Sequence, residues 1–358
     1  MVLLSLLLNS KCIVLKILLE RIMEVLKNKL NMTSNNGVFT FKQRFKSTYL
    51  ALTSFLFILI SFQSALSQDI KIDKKILKRT YVYDVKDSLQ LKLDVYSNPD
   101  LKKKTPCIIF VFGGGFLGGH RDDKLYNAYF NTLVANNYKV VSIDYRLGLV
   151  GVKNLSALNT KPLLNAIDTA VVDLYSATAY IIKKADLLGI DTGKLILSGS
   201  SAGAMTILQA EWEKRNHTNL TLGLPERFQY AGAISFAGAI LSYKGAPNYK
   251  IPPAPTMMFH GTADKLVVYN KIRLFNKGFF GSNYLAKRFK KNKYPYYYQR
   301  VEGMGHEVAG SPLVNNLDDI MWFIDNYVMK KKQYLIEVDF NDLAKKRTMT
   351  SSAKDIYN

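Results

Sequence analysis

The chain has 358 residues, 48% hydrophobic, 22% charged and 12% aromatic, with 22 Gly and 10 Pro, a balance that excludes a disordered chain, a collagen-like repeat and a low-complexity scaffold. Two cysteines (Cys12 and Cys107) are too few for a disulfide-stapled mini-protein or a Cys-ligated zinc cluster, and four histidines without paired spacing argue against a His-rich metal site. The formal charge is +21, and residues 1–67 hold eight basic and two acidic side chains, leaving +15 on the rest. Such a balance favours acidic surfaces, phosphate or anionic polysaccharide. No basic run interleaved with aromatics tracks a nucleic-acid backbone, and the densest one, Lys287 to Lys293, reads as an exposed helix end.

Residues 1–30 form an apolar stretch interrupted by Lys11, Lys16, Glu20 and Arg21. With residue 31 it reads either as an upstream extension that is not normally translated, Met32 being the natural start, or as an amphipathic membrane-surface helix. Residues 49–62 are an uncharged apolar run, preceded by Lys42, Arg44 and Lys46 and followed by Ala65-Leu66-Ser67. A positive flank, a short apolar centre and small residues two apart are the parts of a secretory signal peptide. The run is shorter than the ~20 residues of a spanning helix. Residues 32–67 are therefore expected to be a signal peptide cleaved after Ser67, which directs the protein to be secreted or periplasmic. Membrane contact is confined to this N-terminal segment. Of the two cysteines only Cys107 would then remain, so no intrachain disulfide is expected.

From about residue 70, short β-branched or aromatic runs alternate with longer helical stretches. Strands are predicted at Thr80–Val85, Leu89–Tyr96, Cys107–Phe112, Lys139–Ile143, Lys194–Ser198, Tyr230–Phe236, Thr256–His260 and Tyr296–Glu302. Helices are predicted at Asp123–Asn136, Leu163–Leu188, Ala202–Lys214, Lys265–Lys277 and Pro312–Lys330. Near-continuous apolar strands such as Ile108-Ile109-Phe110-Val111-Phe112 imply burial on both faces, and the alternation implies a mostly parallel sheet with helices on both sides. Residues 68–338 are read as one domain, and 339–358 as a polar, frayed tail. In such sheets the reactive crevice lies beyond the carboxyl ends of the strands, so the residues that follow each strand carry the functional information.

Four strand ends are distinctive. Cys107–Phe112 ends in Gly113-Gly114-Gly115, which would let main-chain N–H groups point at a common centre; it lacks the spacing of a phosphate-binding glycine loop. Lys194–Ser198 runs into Gly199-Ser200-Ser201-Ala202-Gly203 and a helix, the strand–turn–helix setting of a G-x-S-x-G nucleophile elbow. Ser201 is the candidate nucleophile, with Gly114, Gly115 and Ala202 N–H groups as oxyanion donors. Thr256–His260 ends in Gly261-Thr262-Ala263-Asp264, whose acid either orients an imidazole or caps the following helix. His260 is read as a structural residue at the strand end. Tyr296–Glu302 leads to Gly305-His306-Glu307, and His306 is the one histidine after Asp264. The order Ser, acid, His is that of the elbow architecture.

Gly113-Gly114-Gly115-Phe116, Asp144-Tyr145-Arg146-Leu147, the elbow, Gly261-Thr262-Ala263-Asp264 and Gly305-His306 together resemble the α/β-hydrolase superfamily. They look most like its carboxylesterase and hormone-sensitive-lipase-like branches, over roughly residues 80–330. The resemblance implies an α/β-hydrolase fold with an eight-stranded, mostly parallel sheet and helices on both faces. It also implies a catalytic triad of Ser201, His306 and Asp264 that hydrolyses carboxylic esters through an acyl-enzyme, with no metal and no cofactor. Phe112 stands where the lipase-like branch usually has His, which leans toward the carboxylesterase form of the motif. Arg146 is expected to pair with a carboxylate near the site. By analogy the partner is a small-molecule or polysaccharide-linked ester, such as an acetylated or feruloylated glycan. The rivals are a serine peptidase of the prolyl-oligopeptidase type, a lipase, and a non-catalytic binding protein with the same fold. An intact Ser201 and His306 separate the last from an enzyme.

Overall fold

The computed structural model describes residues 76–153, 159–344, 346–353 and 355. The expected N-terminal extension and signal peptide lie outside the described residues.

Apolar β-branched runs build the centre of the molecule. Strands β1 (Leu77–Lys86), β2 (Leu89–Ser97), β3 (Thr105–Val111), β4 (Lys139–Ile143), β5 (Ile190–Ser200), β6 (Gly232–Phe236), β8 (Thr256–Gly261), β11 (Tyr296–Val301) and β12 (Leu335–Phe340) form one sheet in the order β1-β2-β4-β3-β5-β6-β8-β11-β12. Only β2 runs against its neighbours β1 and β4; every other pair is parallel. The run Ile108–Val111 has no exposed surface, because helices cover both faces, as a parallel sheet requires. Helix α1 (Asn127–Ala135) packs with the later helix α5 (Leu317–Phe323) on one face, and α2 (Lys161–Lys183) with α3 (Ala202–Asn216) on the other. Helix α4 (Ser282–Asn292) shares a cluster with Leu208 and Trp212 of α3.

All eight expected strands are present, with ends moved by a few residues. The sheet has nine strands rather than eight, because β12 adds in parallel to β11 and draws Asp339 and Phe340 out of the expected tail. The helix expected over Lys265–Lys277 does not form. That stretch is a turn followed by β9 (Lys271–Leu274), which pairs with β10 (Lys277–Gly281), itself paired with β7 (Ala239–Ser242) in a second, three-stranded sheet. The reason lies in the residues: Val267, Val268, Tyr269 and Ile272 favour extended backbone. The Phe275-Asn276 connection, with Phe275 at φ 52, closes a hairpin instead of a helical turn. The expected helix Pro312–Lys330 is also interrupted, splitting into a short turn at Pro312–Asn315, α5, and a wide turn at Ile324–Met329.

Strands β3, β5, β8 and β11 all point the same way in this sheet. Their carboxyl ends therefore share one edge, and the four distinctive loops emerge side by side.

Candidate active site

Between β5 and α3 the chain reverses direction at a single residue. Ser201 takes φ 51 and ψ −116, a conformation that side-chain-bearing residues rarely adopt. Its N–H donates to Phe236 O across the sheet at 2.9 Å. The flanking glycines are required by space rather than by their own backbone angles. A Cβ on Gly203 would lie 2.0 Å from Val111 O, and one on Gly199 would lie 2.4 Å from Gly203 O. Neither glycine has a positive φ; the strained residue is Ser201 itself.

Ser201 Oγ lies 2.7 Å from His306 Nε2, and His306 Nδ1 lies 2.8 Å from Asp264 Oδ2. A carboxylate only accepts, so the imidazole hydrogen sits on Nδ1; Nε2 is then the acceptor for the Ser201 hydroxyl. His306 is 5% exposed and the Asp264 side chain is fully buried, while Ser201 is partly open to solvent. The chain of contacts is thus sheltered at its acid end and accessible at its hydroxyl end.

Asp264 divides its two oxygens. Oδ1 accepts the N–H groups of Leu266 at 2.8 Å and Val267 at 3.0 Å, which holds the turn after β8. Oδ2 faces His306 and, at 3.3 Å, His260 Nε2. The capping and imidazole-orienting readings of this acid therefore coexist, one on each oxygen. Burial alone would push the Asp264 carboxyl up. Hydrogen bonds from His260 and His306, with the charges of both imidazoles, instead hold it well below the usual carboxylate range.

The glycine triplet lies directly against the elbow: a Cβ on Gly113 would be 3.2 Å from Ser201 Cβ and 3.1 Å from Ser200 O. Gly114 at φ 120 and Gly115 at φ 65 both need the freedom of glycine, and a Cβ on Gly114 would strike Gly118 O at 2.1 Å. The Gly114 carbonyl turns back to accept from Leu117 and Gly118. Gly114 is exposed and Gly115 half-buried, on the side open to solvent. Ala202 is the first residue of α3, where an N–H has no partner inside the helix. Ser201, Asp264, His306, Gly114, Gly115 and Ala202 thus lie in neighbouring segments on one edge of the sheet.

Several supporting residues had no separate signal in the sequence. Ser200, at the variable position of the elbow, donates its hydroxyl to Ala309 O at 2.8 Å and so ties the elbow to the His306 loop. Glu307 accepts the Gly305 N–H at 3.0 Å, which steadies the residue before His306. Tyr126 accepts the Gly113 N–H at 3.3 Å. The run Asp144-Tyr145-Arg146, by contrast, is one the sequence singles out, and the carboxylate expected for Arg146 is Asp173. Arg146 pairs with buried Asp173 at 2.8 Å, Asp144 pairs with Arg121 at 2.9 Å, and the Tyr145 hydroxyl donates to Phe112 O at 3.0 Å. Among the described residues no group of three His, Cys, Asp or Glu side chains is placed to hold a metal ion.

Residues 93–240 match the BD-FAE family model, a span from β2 to β7 that includes the glycine triplet and the elbow and ends before Asp264 and His306. Solved structures of esterase 2 from the planctomycete Thermogutta terrifontis superpose at TM-score 0.52 with 22% identity, covering 70% of this chain and 92% of that one. The apo form gives 0.53 with 20% identity over 72% and 95%. The chain has the α/β-hydrolase fold. Among curated proteins, acetylcholinesterase 1 of Caenorhabditis briggsae is 30% identical over 121 residues, 34% of this chain and 18% of that protein. The acetylcholinesterase of Gallus gallus is 27% identical over 117 residues, 33% and 15%. The chain therefore spans less than a fifth of the length of the curated relatives it matches.

Proposed function

We propose that this protein is a secreted serine hydrolase that cleaves carboxylic esters bearing short acyl chains, or acyl groups on carbohydrate. The observation that carries the reading is the continuous chain from Ser201 Oγ through His306 to Asp264 Oδ2, at 2.7 and 2.8 Å, beside a glycine loop. His306 Nε2 accepts the Ser201 proton as Oγ attacks the ester carbonyl, and Asp264 stabilises the imidazolium that forms. The N–H groups of Gly114, Gly115 and Ala202 receive the developing oxyanion, each donor supplying about 2.7–4 kcal/mol. His306 then gives its proton to the leaving alcohol. In the second half, water gives up a proton to His306 and attacks the acyl-enzyme; His306 then returns that proton to Ser201 Oγ as the acyl bond breaks, which frees the acid and restores the hydroxyl.

The Thermogutta terrifontis neighbours support an ester substrate: structures of that esterase are described as bound to propionate and butyrate, and as phosphorylated by paraoxon. Secretion rests on the apolar run at residues 49–62 and its flanks.

The test is hydrolysis of p-nitrophenyl esters of increasing acyl length, beside Ser201→Ala. Activity on acetyl to butyryl esters is expected, with kcat falling on the order of 10^4–10^6-fold in the variant. A folded wild-type protein inert on every acyl length would overturn the ester reading and bring the peptidase and binding-protein readings forward. N-terminal sequencing of exported protein is expected to begin at Gln68.

A further inference from the structure

Asp264 carries a second imidazole that the proposed reaction does not use. His260, on β8, is fully buried, and its Nε2 lies 3.3 Å from Asp264 Oδ2, the same oxygen that faces His306. That Nε2 is also 3.2 Å from Val267 O. Both neighbours are acceptors, so the hydrogen of His260 sits on Nε2 and is shared between them. On the far side of the ring, the hydroxyl of Ser282, the first residue of α4, lies 2.9 Å from Nδ1 and 3.2 Å from Gly238 O; with Nδ1 bare, its one hydrogen is given to Nδ1, the shorter contact. Tyr269 closes the pocket edge-on, with ring centroids 5.6 Å apart.

A histidine needed only for packing would be satisfied by Val267 O and Ser282. The approach to Oδ2 has another consequence. With two N–H groups on Oδ1 and two imidazoles at Oδ2, the Asp264 carboxylate has one orientation in which all its contacts are made. Removing the His260 contact leaves Oδ2 held by His306 alone, on a terminal torsion that is intrinsically broad.

We propose that His260 is a positioning residue: its Nε2–H fixes Asp264 Oδ2 where His306 Nδ1 needs it. This rests on the proposed roles of Ser201, His306 and Asp264. His260 is buried beneath Asp264, so its loss should lower kcat and leave KM in place.

Two polar variants of the full chain separate positioning from packing. His260→Asn keeps an amide near Ser282 but has no donor at the Nε2 position; His260→Gln extends an amide donor toward Oδ2. On p-nitrophenyl acetate, His260→Asn is expected to lose about ten- to a hundred-fold in kcat, with KM within about two-fold, and His260→Gln to recover most of that loss at similar thermal stability. A readout independent of turnover is the downfield proton of His306 Nδ1–H, identified by its loss in His306→Gln. It should shift or broaden in His260→Asn and return in His260→Gln, whether or not the protein hydrolyses esters. Equal losses in both variants, or a His260→Asn protein with wild-type kcat and an unmoved resonance, overturn the proposal. The nitrogen shifts of His260 in the wild-type protein decide the matter without any variant: hydrogen on Nδ1 instead of Nε2 also overturns it.

Discussion

Ser201 holds its backbone at φ 51 and ψ −116 because the sheet, Phe236 O and α3 leave it no other path. A side-chain-bearing residue in so sparse a region costs about 1–3 kcal/mol. Ser201→Ala keeps the Cβ and therefore the strain, whereas Ser201→Gly removes both, less about 0.5–1 kcal/mol for the extra freedom of glycine in the unfolded chain. Ser201→Gly is thus expected to melt up to about 5 °C above Ser201→Ala, although both are inactive. A calorimetric scan of the two variants checks this, and a lower Tm for the glycine variant refutes the strain. The candidate serine was legible at this scale because Gly199 and Gly203 bracket it in the sequence, and the structure supplies the steric reason: a Cβ at either would fall within 2.4 Å of main-chain oxygen. The hydroxyl of Ser200 and the imidazole of His260 carried no comparable mark. Their partners, Ala309 O and Asp264 Oδ2, are supplied by the folded loops.

Elements buried on both faces announced themselves, and those at the margins did not. Strands β3, β4 and β6 read correctly because their runs are apolar and bounded by turns. β12 is not predicted, and its last two residues, Asp339 and Phe340, fall in the expected tail, because Leu335-Ile336-Glu337-Val338-Asp339-Phe340 alternates charge with apolar residues and only its partner makes it a strand. Glu337 is the tie. It accepts from the Tyr296 hydroxyl at 2.6 Å and pairs with Arg300 at 2.9 Å and Lys290 at 3.1 Å, joining β12 to β11 and α4. The Tyr296 hydroxyl, followed by Arg300 and Lys290, holds the Glu337 carboxyl down at about 2, from an ordinary value of 4.5. A carboxylate with a depressed folded-state pKa stabilises the fold fully above its unfolded value, and that stability is lost as pH falls through the folded value. Glu337→Gln should therefore lower Tm at pH 7. The gap to wild type should hold down to about pH 4.5 and close as pH falls toward 2. A gap that is constant across this range, measured by thermal melts at each pH, would show that the charge of Glu337 contributes nothing and that only its shape matters.

At the largest scale, what brings Ser201, Asp264 and His306 together is sheet order. Ser201 and His306 are 105 positions apart, and Asp264 and His306 are 42 apart, yet each pair meets because β5, β8 and β11 end on one edge. The order Ser, Asp, His could be read from the sequence; the distances could not, since they depend on parallel pairing and on β6 and β8 lying between β5 and β11. Net charge is the other property of the whole chain, and it bears on what kind of ester is reached. The formal charge of +15 on residues 68–358 concentrates anions near the surface without contributing to the chemistry at Ser201. If the substrate is an acyl group on an acidic glycan, raising salt from about 0.1 to 1 M shortens the screening length from about 10 Å to about 3 Å and removes that attraction. The KM for an O-acetylated uronic-acid polysaccharide should then rise several-fold, while kcat on the polymer and KM for p-nitrophenyl acetate stay level, because the small neutral ester never used the field. Equal salt responses for the two substrates would assign the charge to solubility and leave the specificity of this site to the side chains around Ser201.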